Sequence, residues 1–278
     1  MVNDRLTFRC ASIMKKLPEN FDSFTENLLK EAETVEGFLS ENEMRFLALL
    51  AACPTATGDV LEIGSFKGKS TVILAKAAQL AGEAKIYAVD PLTAPSKTDP
   101  DLRGDESSAK DFQTNIERHN VADKVEFYQT YSYKLAETWT RPLRFLWIDG
   151  DHTYKGTKLD FDGFAPHLAD GAILAIHDVL HAFDGGIRVF MEDILLSPNF
   201  GACGFCGSIG WAQYREDDKT GERFRKEKLL FYTKLSHLIP HVVFNGELKG
   251  LEKKIYKLKR SRVPRSAVKP AEWLKMVS

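Results

Sequence analysis

The sequence is poor in cysteine and has no long apolar run, and each shortage excludes a class of protein. Four cysteines in 278 residues are too few for the disulfide framework of a small secreted domain. The longest apolar run, residues 46–52, is far shorter than the roughly 20 residues that cross a bilayer. Residues 1–5 lack the apolar core and cleavage site of a secretory signal. We therefore expect a protein of the reducing cytoplasm without a membrane span.

The sequence also lacks a large excess of positive or negative charge. The formal net charge is -1, so the molecule as a whole is not built around a polyanion such as nucleic acid. The length suits an α/β domain with appendages. We expect a helical extension over residues 1–55, the α/β domain over 56–215 and a C-terminal extension over 216–278. The last segment ends in a basic tail, which we expect to be a solvated helix with a mobile terminus.

Short apolar runs alternate with amphipathic stretches through the middle of the chain. The apolar runs are 60–63, 86–89, 125–128, 145–148 and 172–176. The helical stretches between them are 69–81, 107–119, 131–140 and 153–168. This alternation predicts a doubly wound, mostly parallel sheet with helices on both faces, a Rossmann-like α/β fold.

The flanking segments follow other patterns. N-terminal helices are expected before residue 54, with Ser40 and Glu43 as a capping box for the second. Beyond the last apolar run we predict a helix over 187–196, a glycine-rich flexible loop at 203–206 and a final strand over 208–214. The proline-containing stretch 91–105 is long for an α/β connection, so we interpret it as a lid.

Acidic residues follow several of the predicted strands. Asp90 and Asp149 come directly after apolar runs, and Asp178 stands one residue beyond another. In an open α/β sheet the ligand lies outside the carboxyl ends of the strands. The three carboxylates should therefore converge on one crevice.

A glycine-containing turn, residues 62–70 (EIGSFKGKS), lies between the first strand and a helix. Glycine lets the backbone approach a ligand, and the helix N-terminus offers unpaired N–H groups. A phosphate-binding P-loop needs four residues between its glycine and Gly-Lys-Ser, but Gly64 leaves three, and Glu62 would repel phosphate. The dinucleotide fingerprint fails because Phe66 occupies its second glycine position.

S-adenosylmethionine is the third ligand that such a turn can hold, and it carries no phosphate. Glu62 could counter its positive methionine end, and Asp90 could accept its ribose hydroxyls. Here the sequence resembles the class I S-adenosylmethionine-dependent methyltransferases, whose first motif is an acidic residue, an apolar residue and Gly-x-x-x-Gly. The cofactor-binding residues expected on both grounds are Glu62, Gly64, Ser65, Gly68, Ser70, Asp90 and Ser132.

A second motif comprises residues 145–154 (FLWIDGDHTY), Asp160, and residues 171–178 ending in His-Asp. It is similar to the methyltransferase group with an Asp-Gly-Asp-His segment, which includes sugar O-methyltransferases such as the mycinamicin and macrocin enzymes. It is more distantly similar to the catechol and caffeoyl-CoA enzymes. The resemblance covers about residues 58–180.

The resemblance implies roles for the second motif. His152 matches the proposed base, and a histidine suits proton removal from an acceptor hydroxyl. Asp149 and Asp178 match ligands of a divalent cation, for which Mg²⁺ would suit oxygen donors alone. His177 departs from the acidic pair of the family and, as a ligand, would admit Mn²⁺ or another transition metal. Asp149 would then also take part in catalysis.

The resulting hypothesis is methyl transfer to a hydroxyl of a sugar or another small hydroxylated metabolite, by a protein that could be a homo-oligomer. Two alternatives remain open at this point. One is a P-loop phosphotransferase, and the other is a non-catalytic cofactor-binding scaffold.

Overall fold

The structure is a computed structural model, and it describes residues 17–82, 85–93, 108–244, 248–265 and 267–277. Seven strands form one sheet in the order β3-β2-β1-β4-β5-β7-β6. Their bounds are Asp59–Ile63 (β1), Ile86–Val89 (β2), Val125–Tyr128 (β3), Leu143–Ile148 (β4), Leu168–Ile176 (β5), Phe200–Cys206 (β6) and Ile209–Tyr214 (β7). Strands β1 to β5 are parallel, and β7 runs antiparallel to β5 and to β6. The predicted fold class is confirmed.

Helices cover both faces of this sheet. The helices are Phe21–Ala32 (α1), Glu41–Ala52 (α2), Lys69–Leu80 (α3), Ala109–Arg118 (α4), Ser132–Ala136 (α5), Tyr154–Phe164 (α6), Gly185–Val189 (α7), Thr220–Arg223 (α8), Arg225–Ser236 (α9), Ile239–Val243 (α10), Gly250–Arg260 (α11) and Pro270–Met276 (α12). Helices α1 to α4 and α12 share a core with one face, and α5, α6, α7, α9 and α11 share a core with the other.

Strand β4 is apolar except for Arg144, whose buried guanidinium donates to the carbonyl oxygen of Ala51 at 2.9 Å. All six of its residues are buried. Phe145 and Trp147 belong to the core under α1 to α4, whereas Leu146 and Ile148 belong to the opposite core. Because successive side chains point to opposite faces, a central parallel strand covered on both sides is apolar in consecutive positions, as residues 145–148 are.

The N-terminal helices are part of the same core as the sheet. Ser40 and Glu43 form the predicted capping box at the start of α2. Leu47, with 0% exposure, lies among the residues that fill the core between α2 and the sheet. Helix α2 packs mainly on α3 and also contacts β6, and its first turn reaches the turn between β6 and β7 through Glu43.

Two expectations for the C-terminal part are wrong. The glycine-rich residues 203–206 lie in strand β6, paired with β7, and are not a flexible loop. The chain end is also anchored, because Trp273 in α12 has 0% exposure and packs edge-on against Phe46 and Trp211. The stretch 91–105 that we interpreted as a lid lies outside the described residues from position 94 onward.

Among the described residues, no helix combines the length and the hydropathy needed to span a bilayer.

Candidate active site

A cleft of about 840 Å³ opens at the carboxyl ends of the parallel strands. It lies where the strand order reverses between β1 and β4, which is where ligands bind in open α/β sheets. Asp90, Asp149 and Asp178 all line it. The three carboxylates that follow separate strands therefore meet in one place, as their positions predicted.

The turn after β1 approaches the end of β4 so closely that only glycine fits. Gly64 has a φ of +87°, and a Cβ there would lie 2.2 Å from the carbonyl oxygen of Asp149. A side chain would meet backbone, which cannot move aside. The glycine therefore brings the turn and Asp149 to the same wall of the cleft.

Asp90 holds the glycine turn in shape. Its Oδ2 accepts the N–H groups of Ser65 at 2.7 Å and Phe66 at 3.0 Å, and its Oδ1 accepts that of Leu92 at 2.7 Å. Phe66 takes a φ of +47°, which is uncommon outside glycine and is stabilised by this contact. Sequence reasoning assigned Asp90 to ribose hydroxyls alone. Each carboxylate oxygen has two lone pairs, so both roles are compatible.

Glu62 lies beneath the turn, at the end of β1, with 0% exposure. Its Oε2 accepts the hydroxyls of Ser65 at 2.9 Å and Thr71 at 2.5 Å. Its Oε1 is buried and has no hydrogen-bond partner among the described residues. Burial raises the pKa of Glu62 to about 7, although the hydroxyls oppose the shift.

The remaining predicted cofactor residues have different surroundings. Ser65 and Ser70 line the cleft, whereas Gly68 is the N-cap of α3 with a φ of +91° and shapes the turn from outside the cleft wall. Ser132 lines the cleft and donates to Asp160 Oδ1. Burial raises the pKa of Asp160 to about 7. Ser132 therefore holds a second buried carboxyl beside the cleft.

His177 lies at the centre of a group of carboxylates. Its Nδ1 is 2.9 Å from Asp149 Oδ1 and 3.4 Å from Asp178 Oδ1, and its Nε2 is 3.9 Å from Glu43 Oε1. Burial lowers the pKa of His177, but Asp149 and Asp178 outweigh it and hold that pKa well above its usual range. Burial in turn raises the pKa of Asp178, but the charges of His177 and His181 outweigh burial and keep it low.

The divalent cation implied through Asp149, His177 and Asp178 does not fit this arrangement. A histidine ligates a metal through a lone pair of its neutral ring, whereas His177 directs Nδ1 at Asp149, and its carboxylate neighbours raise its pKa and so favour the protonated ring. Within the part of the chain that the structure describes, no three His, Cys, Asp or Glu side chains are arranged to hold a metal ion. The His177 ring thus lies against both carboxylates, with Nδ1 2.9 Å from Asp149 and 3.4 Å from Asp178.

His152 lines the same cleft from the loop after β4. Its ring stacks on Phe183, with centroids 4.8 Å apart and an interplanar angle of 18°. Its Nε2 is 3.8 Å from Asp178 Oδ2. The ring is thus held in place by stacking, beside a carboxylate that would stabilise it after it accepts a proton.

Sequence reasoning missed a contribution from outside the α/β motifs. Glu43 of α2 accepts the backbone N–H of Ser208 at 2.6 Å through Oε1 and that of Ser40 at 2.9 Å through Oε2. The Ser208 hydroxyl lies 2.7 Å from Glu43 Oε1 and 3.1 Å from Asp178 Oδ1. Glu43 was predicted only as a helix cap, and no local signal relates it to a residue 165 positions away.

Comparisons with known proteins agree with this geometry. A family model described as a methyltransferase domain matches residues 61–179. The O-methyltransferase TomG from Streptomyces achromogenes, solved with S-adenosylmethionine, is 18% identical, with a TM-score of 0.50 over 72% of this chain and 91% of that one. The O-methyltransferase NovP is 12% identical, with a TM-score of 0.55 over 70% and 98%. A cofactor-bound protein from MTB is 22% identical, with a TM-score of 0.51 over 70% and 91%.

At these identities the solved structures establish the fold, which is the doubly wound sheet of class I methyltransferases. The family match adds the domain type. The chain therefore contains a methyltransferase domain, and the enzyme class predicted from the sequence is confirmed.

Proposed function

We propose that the protein is an S-adenosylmethionine-dependent O-methyltransferase that acts on a hydroxyl of a sugar or another small hydroxylated metabolite. The observation that carries the proposal is the buried Glu62 carboxyl under the glycine turn, with one oxygen lacking a partner among the described residues. An ionised carboxylate there favours a cation in the cleft above it and disfavours a phosphate chain. S-adenosylmethionine is such a cation, because it carries a sulfonium and an amino-acid ammonium.

Polar groups in the cleft suit each part of S-adenosylmethionine. The N–H groups at the start of α3 and the hydroxyl of Ser70 suit the amino-acid carboxylate. Asp90 suits a ribose hydroxyl, because its Oδ1 accepts one N–H group and keeps a second lone pair, whereas Oδ2 already accepts two N–H groups. Ser132 stands at the cleft beyond β3, where it would meet the adenine.

His152 is the proposed base. As the acceptor oxygen attacks the methyl carbon, its O–H proton passes to His152, the S–CH₃ bond breaks and the O–CH₃ bond forms. The products are a methyl ether and S-adenosylhomocysteine, and the positive charge moves from sulfur to the imidazole. Asp178, 3.8 Å away, stabilises that charge. Proton removal of this kind contributes about 10²–10⁴-fold to a rate.

The cleft also has exposed aromatic faces beside its charged groups. Phe38, Tyr131 and Tyr133 line the cleft, with exposures of 62%, 47% and 45%. Exposed aromatic rings provide flat faces on which a sugar ring or another ring can pack while its hydroxyls remain solvated. NovP and TomG are O-methyltransferases by name, which also supports oxygen as the acceptor atom.

No step in this mechanism passes through a divalent cation, because His177 takes up the space between its implied ligands. Methylation should proceed at the same rate in EDTA and in Mg²⁺ buffer. A rate that disappears in EDTA and returns with added Mg²⁺ would show that the carboxylates rearrange to bind metal.

Isothermal titration with S-adenosylmethionine and, separately, with ATP and Mg²⁺ tests the proposed cofactor. We expect binding of S-adenosylmethionine and no heat with ATP. Tight ATP binding without S-adenosylmethionine binding would favour a phosphotransferase. Binding of S-adenosylmethionine that His152→Ala and Asp149→Ala leave intact, in a protein that methylates no member of a hydroxylated acceptor panel, would favour the scaffold alternative.

A further inference from the structure

The basic charge of this protein is concentrated in one short segment. Residues 249–265 contain eight Lys or Arg and one Glu, a net charge of +7. The formal net charge of the whole chain is -1, so the remaining residues carry -8. A near-neutral protein thus has a strongly basic region within a predominantly acidic molecule, and helix α11 (Gly250–Arg260) lies in that region.

One side of α11 is fixed to the protein. Tyr256 is 3% exposed, and its hydroxyl donates to the carbonyl oxygen of His181 at 2.6 Å. Arg260 donates to the carbonyl oxygen of Leu180 at 3.4 Å. These two carbonyls belong to the turn after β5, and His181 lines the cleft. The helix is therefore attached to the rim of the candidate active site.

The other side of α11 exposes apolar side chains in a regular row. Leu251, Ile255 and Leu258 are 73%, 38% and 57% exposed. They follow one another at spacings of four and three residues, so they lie on one helical face. We call these three residues the apolar row. Scattered exposed leucines are ordinary, whereas a row on a helix that also packs on its opposite side indicates a surface with a partner.

Three exposed lysines lie on α11, one at the edge of the apolar row and two farther around the helix. Lys253, Lys254 and Lys257 are exposed, and at 100° per residue they continue around the helix from the edge of the row. Long lysine side chains can keep their ammonium groups at a charged surface while their methylene groups lie against an apolar one. Helix α11 therefore has the pattern of a helix that lies flat in the interface of a membrane.

We propose that α11 binds the surface of an anionic lipid bilayer. The apolar row would lie at the boundary between the headgroups and the acyl chains, and the lysines would contact the headgroups. Charge complementarity favours this partner, and the apolar row distinguishes it from nucleic acid. A nucleic acid offers phosphates but no apolar phase, and its bases stack on aromatic side chains. The aromatic residue of α11 is Tyr256, which is buried against the protein.

Such docking would hold the cleft rim within about one helix diameter, roughly 10 Å, of the bilayer surface. Taken together with the proposed function, it places hydroxylated acceptors that reside in or on a membrane within reach. Lipid binding itself requires neither cofactor nor acceptor. Its failure would leave the proposed methyl transfer untouched.

Vesicle co-sedimentation of the full chain tests the proposal. The two vesicle types are phosphatidylcholine alone, and phosphatidylcholine mixed with phosphatidylglycerol. We expect binding to the mixed vesicles, little to the neutral ones, and weakening as salt is raised. Lys253→Gln/Lys254→Gln/Lys257→Gln should lower the partition coefficient on mixed vesicles about tenfold or more. Leu251→Gln/Leu258→Gln should lower it about tenfold.

Matched controls separate this surface from general effects. Lys30→Gln/Lys110→Gln/Lys219→Gln removes the same charge at exposed sites away from α11, and Leu196→Gln replaces a leucine that is 63% exposed elsewhere. Both should stay within about twofold of the unchanged protein. The proposal is overturned if neither vesicle sediments the protein or if the controls lose as much binding as the α11 variants. RNA binding in place of vesicle binding, or a dimer that the Leu251→Gln/Leu258→Gln variant dissolves, would overturn it as well.

Discussion

The two halves of the cleft are built in different ways. The cofactor half consists mainly of a nearly continuous segment, residues 62–71, together with Asp90, which holds the turn through 2.7 and 3.0 Å contacts, and Ser132 beyond β3. The acceptor half takes side chains from four separate places along the chain. These are Glu43 on α2, Asp149 and His152 after β4, His177 and Asp178 at the end of β5, and Ser208 before β7.

The difference has a physical consequence. The cofactor half depends on backbone geometry, because its glycine contacts the Asp149 carbonyl and its amides point at a carboxylate. The acceptor half depends on balanced charge, because a buried imidazolium lies among Asp149, Asp178 and Glu43. We therefore expect steric changes to damage the first half and charge changes to damage the second.

Substitution of Gly64 tests the steric half and should have the largest effect. Gly64→Ala places a Cβ 2.2 Å from a backbone oxygen at a φ of +87°, which should cost about 3–5 kcal/mol of unfolding free energy and abolish cofactor binding. Gly82→Ala is the control, because its φ is also positive but nothing lies within 4 Å of the new Cβ. It should cost about 1 kcal/mol. Urea unfolding with titration calorimetry measures both, and equal losses would refute the steric account.

Removal of the proposed base tests the chemistry of the acceptor half. His152→Ala should lower kcat about 10²–10⁴-fold while S-adenosylmethionine affinity stays unchanged, because His152 acts on the acceptor proton. His237→Ala replaces an exposed histidine outside the cleft and should leave kcat unchanged. Steady-state kinetics with an accepted hydroxylated substrate gives the answer. A fall in cofactor affinity with an unchanged kcat would assign His152 to binding.

The contribution of α2 should be smaller and mainly structural. Glu43→Ala leaves the buried N–H of Ser208 without its acceptor, at about 1–3 kcal/mol, and removes the capping contact with the exposed Ser40, at about 1 kcal/mol. Glu41→Ala on the same helix removes an exposed ion pair with Arg45 and should change stability by less than about 0.5 kcal/mol. Urea unfolding of both variants measures the difference. Similar losses would mean that Glu43 does not join α2 to the site.

The pH dependence of Glu62 should be the smallest effect. Its pKa in the folded protein, about 7, is above the ordinary 4.5, so its contribution to stability is present at low pH and is lost as pH rises from about 4.5 to about 7. Glu62→Gln should lack this loss, and Asp160, which shifts the same way, is common to both proteins.

As pH rises, the affinity for S-adenosylmethionine should increase, whereas the contribution of Glu62 to stability decreases. Because a bound cation favours the ionised carboxylate, wild-type affinity for S-adenosylmethionine should rise as pH passes through about 7, about tenfold for each unit by which binding lowers that pKa. The Glu62→Gln variant should lack the rise, and the ligand's own titration is the same for both proteins. Parallel titration curves for the two proteins would contradict the role given to Glu62.

The same contrast explains how much of the site the sequence could predict. Residues 62–70 carry a local pattern, and Asp90, Asp149 and Asp178 each follow an apolar run, so the fold, the crevice and the turn were all predictable. The pairing of His177 with carboxylates was not, since a resemblance to metal sites gave it the role of a ligand. The Glu43–Ser208 contact joins residues 165 positions apart, and one sequence alone holds no signal of such a contact.

Strand β6 and the C-terminal helix were mispredicted for a related reason. The segment 203–206 with Gly204 suggested a loop, but packing against the Trp211 ring leaves little room for a larger side chain at this strand position. Trp273 stands in a basic, proline-containing tail, and its burial depends on Phe46 and Trp211 from distant segments. Tertiary packing overrode local composition in both cases.

The central claim is that the turn above Glu62 holds a cationic amino-acid nucleoside. A crystal structure of the complex with S-adenosylhomocysteine tests it most directly. We predict ribose hydroxyls within hydrogen-bonding distance of the Asp90 carboxylate and the amino-acid group over Gly64. An adenosine bound elsewhere in the protein, with Asp90 contacting only the turn, would contradict the account.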